Sequence, residues 1–205
     1  PANDDVVRPI KIEVTPEETN ENNLKNTNSL ISEAERPLVV LGSSAMRMQK
    51  PELLQAFVEH HEIPFLTSTM AKGMIDEDHR LSIGCIERGR RQIQRKFIQS
   101  ADLIIGLGFD TIEVEYEAWI GNTPLLSIDI EDPDIADSVN LVGTMTGNIT
   151  TSLEYLLQQK KVQNKWTKEE LATHVNDFNK ALRPPSKNFT PHRAIDIVRE
   201  TVPKN

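Results

Sequence analysis

Leu38-Val39-Val40-Leu41, followed directly by Gly42-Ser43-Ser44, is the stretch that decides the fold. Four consecutive apolar residues predict a strand that is buried on both faces, which is typical of a parallel sheet covered by helices. Asp102-Leu103-Ile104-Ile105-Gly106 repeats the pattern of an apolar run that ends at a glycine. The two stretches therefore predict two strands of one buried sheet.

Short apolar runs alternate with helical patterns along the whole of residues 29–158. The predicted strands are 38–41, 64–67, 102–106, 124–130 and 139–142, and the predicted helices are 51–61, 88–99 and 148–158. Alternating strands and helices with right-handed crossovers form an open parallel sheet with helices on both faces. We therefore predict an α/β fold of the Rossmann-like, nucleotide-binding type with helical flanks.

The composition excludes several classes of protein. The chain has 205 residues, with 23 Lys and Arg against 31 Asp and Glu, a net charge of -8. A sequence-independent nucleic-acid binder needs the opposite balance, because basic side chains displace the counterions of phosphate. Cys85 is the one cysteine, which excludes an internal disulfide. No apolar run approaches the ~18 residues of a membrane span. We expect a cytoplasmic protein that binds neither nucleic acid nor membranes.

The two flanks differ from the central region. Residues 1–28 are rich in Asn and Glu and predict a surface linker. Residues 159–205 open with a polar break and predict two helices that begin near Thr167 and Thr190. Because the chain starts at Pro1 in a polar stretch, we expect it to be part of a longer polypeptide. Residues 29–158 are then the central domain, and 159–205 lead into a further domain.

Candidate ligand contacts follow from the predicted strand ends, since ligands of such folds lie beyond the carboxyl ends of the strands. Glycines there allow the backbone to approach a ligand closely, and Asp129 could accept hydrogen bonds from a ribose. Two plainer interpretations stay open: Gly42-Ser43-Ser44 as a strand–helix turn, and Asp129 as a turn former near Pro133. The Gly-x-Gly-x-x-Gly fingerprint is absent. The candidates are Gly42, Ser43, Ser44, Thr69, Gly106, Gly108, Phe109, Asp110 and Asp129.

The reactive residue types form no catalytic constellation in the sequence. His60-His61 has no further histidine or carboxylate at metal-ligand spacing. Cys85 is more typical of a buried thiol than of a nucleophile. Neither a phosphate-binding P-loop nor a Gly-x-Ser-x-Gly elbow occurs. The residues alone predict a binding or scaffolding domain with no catalytic residue and no metal site.

Five motifs nevertheless occur in a recognisable order, at 34–42, 64–73, 76–84, 100–108 and 126–130. In this order they resemble the central domain of thiamine-diphosphate-dependent enzymes of the acetolactate synthase type. Residues 1–5 resemble the end of the preceding pyrimidine-binding domain, and 189–193 resemble the entry into the following diphosphate-binding domain. The resemblance implies an enzyme that decarboxylates a 2-oxo acid and joins the product to an acceptor.

The resemblance also implies where the cofactor binds. In the family, thiamine diphosphate and Mg²⁺ lie between the two other domains, and a Gly-Asp-Gly motif holds the metal. That motif does not occur in this sequence. We therefore expect the cofactor only in the intact parent, a homodimer or homotetramer whose other domains are this domain's partners. The fragment alone is expected to be inactive.

Some members of the family bind FAD or ADP in the central domain. Of the flavin-binding segment, Thr69 and Met70 remain here, with Ala71 in place of a glycine; Met70 joins the candidate groove on this basis. The stretch 108–116, followed by Trp119, is similar to the flavin-independent catabolic acetolactate synthases. We predict a structural central domain of that type, and a module that binds FAD or ADP, like an electron-transfer flavoprotein, is the less favoured alternative.

Overall fold

The structure is a computed structural model that describes residues 21–86, 89–110, 113, 119–133 and 135–203. These ranges contain six strands and six α-helices, with a 3₁₀ helix at Ser43–Arg47. The strands are β1 (Pro37–Leu41), β2 (Phe65–Ser68), β3 (Ser82–Ile86), β4 (Leu103–Leu107), β5 (Leu125–Asp129) and β6 (Leu141–Thr146). The helices are α1 (Glu21–Glu33), α2 (Glu52–His61), α3 (Arg91–Ile98), α4 (Ile149–Leu156), α5 (Lys168–Leu182) and α6 (Pro191–Thr201).

All six strands form one parallel sheet in the order β3-β2-β1-β4-β5-β6, with helices packed around it. The chain winds outward from β1 in one direction and then returns to continue from β4 in the other. At this switch point Leu41 pairs with Thr67 of β2 on one side and with Leu107 of β4 on the other. The predicted α/β fold is therefore confirmed.

The centre of the sheet is the hydrophobic core. Every residue of β1, β4 and β5 is buried, as the uninterrupted apolar runs predict. Both faces of these strands are covered, so consecutive side chains are shielded from water. The usual alternation of apolar and polar residues along a strand is therefore absent in these segments. These three strands place the carboxyl ends of β1 and β4 side by side.

The edge strand β3 was not predicted, and the structure shows what stabilises it. Only Ile83 and Ile86 are fully buried in β3, so its sequence lacks a continuous apolar run. The buried side chain of Gln94 in α3 donates from Nε2 to the Ile83 carbonyl at 2.9 Å. Gln94 Oε1 in turn accepts from His174 Nε2 at 2.8 Å. A side chain, rather than another strand, thus covers part of the free edge.

Helix α1 begins in the range that the sequence assigned to a linker. It starts at Glu21, and Leu24, Thr27 and Ile31 are buried. These buried residues form a narrow stripe among Asn and Ser. The composition of the segment therefore does not indicate a helix. Residues 1–20 lie outside the described part of the chain, so their role as a linker stays a prediction.

Residues 161–178 also pack against the sheet. Val162, Leu171 and Phe178 are buried. The Trp166 indole N–H donates to the Pro37 carbonyl at 2.7 Å, and its ring stacks on Phe97 at 4.9 Å between centroids. A domain boundary at 158 stays a prediction, but the contacts of the sheet continue well past it. No residue of α6 is buried, by contrast.

Candidate functional site

The switch point of the sheet holds the strand ends that the sequence singled out. Gly42 N–H donates to the Leu107 carbonyl at 3.0 Å, and Ser44 N–H donates to the Gly108 carbonyl at 3.1 Å. Gly108 N–H donates to the Ile128 carbonyl of β5 at 2.9 Å. The loops after β1 and β4 therefore bond directly to each other, and the second loop bonds to β5 as well.

Two glycines make this close contact feasible. A Cβ atom at Gly42 would lie 2.2 Å from the Gly108 carbonyl oxygen and 2.3 Å from Phe109 Cα. Gly108 has a φ of +59°, and a Cβ there would lie 2.2 Å from the Ala45 nitrogen. Both positions exclude any side chain. Gly106 differs, because a Cβ there would make ordinary contacts of 3.4 to 3.6 Å.

The carboxylate of Glu113 fills the space between these loops. It accepts from Ser43 N–H at 2.9 and 3.1 Å and from the Ser43 hydroxyl at 3.0 Å. It also accepts from the Ser68 hydroxyl at 2.5 Å, and Asp110 N–H points to it at 3.4 Å. Glu113 thus joins the ends of β1, β2 and β4, although no candidate set from the sequence contained it. Its sequence signal is a carboxylate three residues after Asp110 in a strand-end loop.

Asp129 lies at the end of β5 with 8% of its surface exposed. Burial raises the pKa of Asp129, and hydrogen bonds from the Ile130 N–H and the Ser44 hydroxyl act in the opposite direction. The Ile130 N–H donates to Oδ1 at 2.6 Å. Asp129 therefore has partners within the protein, consistent with the plainer interpretation of a turn residue. Asp132 nearby accepts from the Thr146 hydroxyl.

The remaining candidates do not share one groove. Phe109 is 2% exposed and belongs to the core, whereas Met70 is 60% exposed in the loop after β2. Thr69 lines a different cleft, between β3 and α5. The structure brings Gly42, Ser43, Ser44, Gly108 and Asp110 together around Glu113. Residues 111, 112 and 114–118 lie outside the described part, so the similarity of that stretch stays a statement about sequence.

The cleft beside β3 has a volume of about 750 Å³ and is lined by Thr67, Thr69 and Phe178 among others. Charged side chains at its rim pair with each other: Lys72 with Glu77 at 2.7 Å, and Arg199 with Asp78 at 3.2 Å. Cys85 is half-buried in its wall. With its charges paired across the rim, the cleft indicates no particular ligand.

Within the described ranges, no group of three or more His, Cys, Asp or Glu side chains could hold a metal ion. In the same part of the chain, no helix combines the length and apolar character that crossing a membrane requires. The described strand ends at the switch point thus form a crevice that the Glu113 carboxylate fills.

Comparison with known proteins identifies relatives along most of the chain. The model of the family described as "Thiamine pyrophosphate enzyme, central domain" matches residues 24–156. The oxalyl-CoA decarboxylase of Escherichia coli (strain K12) is 32% identical over 143 residues, 68% of this chain and 24% of the relative. A probable acetolactate synthase large subunit of Methanococcus aeolicus is 25% identical over 166 residues, 76% of this chain and 28% of the relative. The chain spans about a quarter of the length of these two relatives.

Proposed function

Because the chain belongs to the thiamine pyrophosphate enzymes, in which it forms the central domain, we propose that it is a structural domain of a decarboxylase or carboligase. Its role is to hold the cofactor-binding domains of its parent in place. The parent acts on a 2-oxo acid or a related acyl compound. The relatives support this reaction class, since their names include oxalyl-CoA decarboxylase and acetolactate synthase.

The closed crevice at the switch point is the observation that carries the structural role. In this fold the switch point is where a nucleotide would bind. Here Gly42 and Gly108 allow two loops to make backbone contact, and Glu113 accepts hydrogen bonds from Ser43 and Ser68. The residues present do not fit FAD or ADP, and no observation favours the alternative of a flavin-binding module.

The cofactor of the parent is assigned to its other domains. Thiamine diphosphate, bound with Mg²⁺, supplies the carbanion chemistry that releases CO₂ from a 2-oxo acid. The described residues offer no cluster of metal-binding side chains for it. We propose that catalysis takes place outside this chain, in a cytoplasmic homodimer or homotetramer of the parent, and that this chain is inactive by itself.

The test is turnover by the complete gene product. Release of CO₂ is measured with a panel of 2-oxo acids and an oxalyl thioester, all with a free carboxylate, and with thiamine diphosphate and Mg²⁺ present or removed by chelation and dialysis. We expect turnover that depends on the cofactor with at least one substrate. Absence of such turnover across the panel overturns the proposed reaction class.

The isolated chain of 205 residues is the matched control. Calorimetric titration with thiamine diphosphate and Mg²⁺ should show no saturable binding to it. Micromolar binding would contradict the assignment of the cofactor to other domains, even if the parent is active.

A further inference from the structure

We propose that Glu113 is a built-in occupant of the crevice at the carboxyl ends of β1, β2 and β4, and that it excludes nucleotide phosphates from this domain. This inference rests on the structural role given to the domain and not on the reaction of the parent. Glu113 then determines specificity. Its carboxylate occupies the crevice where a nucleotide phosphate would bind in this type of fold.

The hydrogen-bond donors of the crevice are already used by this carboxylate. Both Glu113 oxygens lie within hydrogen-bond distance of the Ser43 N–H, at 2.9 and 3.1 Å. The hydroxyls of Ser43 and Ser68 complete the set, one on each oxygen. A phosphate group in the same place would need these same N–H and hydroxyl donors. Binding it would first require the Glu113 side chain to leave.

Shape and charge act in the same direction. Glu113 Oε1 lies only 2.8 Å from where a Cβ of Gly42 would be, so the carboxylate fills the space next to the backbone. The donors that hold it are uncharged N–H and hydroxyl groups. Two further carboxylates, Asp110 and Asp129, belong to the adjacent loop and strand. An incoming phosphate therefore meets like charge in a partly buried site, where screening by water is weak.

The direct test is a calorimetric titration of the complete gene product with ADP, FAD and inorganic pyrophosphate, carried out with its thiamine diphosphate and Mg²⁺ sites saturated. A crevice filled by Glu113 predicts no saturable binding of any of the three below about 1 mM. Saturable micromolar binding of ADP or FAD that shifts the amide resonance of Ser43 overturns the proposal.

The variant Glu113→Ala tests the exclusion itself. The freed donors should bind pyrophosphate at least about tenfold more tightly than the unchanged protein does. A folded Glu113→Ala protein without this gain overturns the proposal. Glu131→Gln is the matched control, because Glu131 is an exposed carboxylate in the loop after β5, and it should behave like the unchanged protein.

If Glu113→Ala does not fold, Glu113→Gln tests whether Glu113 is the occupant of the crevice. The amide keeps the shape but loses the charge and one acceptor oxygen, so the melting temperature should fall relative to Glu131→Gln. An equal melting temperature for the two variants overturns the occupant role. An active parent that binds ADP at Ser43 would refute this inference and leave the reaction class standing, whereas an inactive parent with a closed crevice would refute the reaction class alone.

Discussion

Replacing Gly42 by alanine tests whether the backbone contact at the switch point stabilises the domain. The new Cβ atom would lie 2.2 Å from the Gly108 carbonyl oxygen and 2.3 Å from Phe109 Cα, both of them backbone atoms. Carbon atoms in contact are about 3.5 Å apart, so one loop must move by roughly 1 Å. No rotation of a side chain can relieve the overlap.

The expected cost combines overpacking with lost hydrogen bonds. Overpacking of a rigid site costs about 1–3 kcal/mol. A shift of this size also weakens the bonds from Gly42 N–H to Leu107 and from Ser44 N–H to Gly108, each worth about 1 kcal/mol. We expect a loss of about 3 kcal/mol in the free energy of unfolding. At roughly 2–4 °C per kcal/mol for a chain of this size, the melting temperature should fall by about 6–12 °C.

Gly106→Ala is the matched control, because Gly106 is the last but one residue of β4 at the same edge and its Cβ would make ordinary contacts. Circular dichroism melts and urea titrations of the unchanged chain and both variants give the comparison. Gly106→Ala should stay within about 1 kcal/mol of the unchanged chain. If Gly42→Ala melts within about 2 °C of it, or if both variants lose equal stability, the assigned contact is wrong.

Three further predictions concern the segment after α4 and its anchor on α2. Brief trypsin digestion should cut first after Lys187, in the exposed stretch 183–189 where Pro184 protects the bond after Arg183, and later after Lys161, which pairs with Glu62 at 2.8 Å; mass spectrometry showing the cut after Lys161 before the cut after Lys187 would contradict this order. Trp166→Phe keeps a ring on Phe97 but loses the indole donor, and should cost about 1 kcal/mol in urea denaturation; no loss would mean that the bond to Pro37 contributes nothing. Burial lowers the pKa of His61 to about 4, so the unfolded chain binds a proton that the folded chain does not as the pH falls from about 6.5 to 4. This contribution is complete above pH ~6.5 and should be lost on acidification, about 3 kcal/mol in all, and His61→Gln should flatten that part of the stability profile.

The strands at the centre of the sheet and several helix ends could be predicted from local sequence. β1, β4 and β5 are apolar at nearly every position, and the structure buries all of their residues. Thr167 and Thr190 were predicted to begin helices, and the side chain of each caps one in the structure. Such features depend on residues within one turn or one strand, so the local sequence pattern is enough to predict them.

Features that depend on distant partners could not be predicted in the same way. The partner of Ser43 is Glu113, 70 residues away in sequence, and nothing in either local pattern indicates the pairing. The edge strand β3 pairs with β2 and accepts a hydrogen bond from Gln94, which His174 holds in turn. Likewise, residues 161–178 look like a polar linker until Trp166 and Phe178 are placed against the sheet.

The parallel α/β fold could be predicted from the sequence, as could the glycines at the strand ends and the similarity to the central domain of a thiamine-diphosphate enzyme. The role of those glycines is visible only in the folded structure. They bring two loops into contact and leave the crevice to Glu113. This difference arises because the burial of a strand follows from its own side chains. The occupant of a crevice depends instead on hydrogen-bond donors from three strand ends that are far apart in sequence.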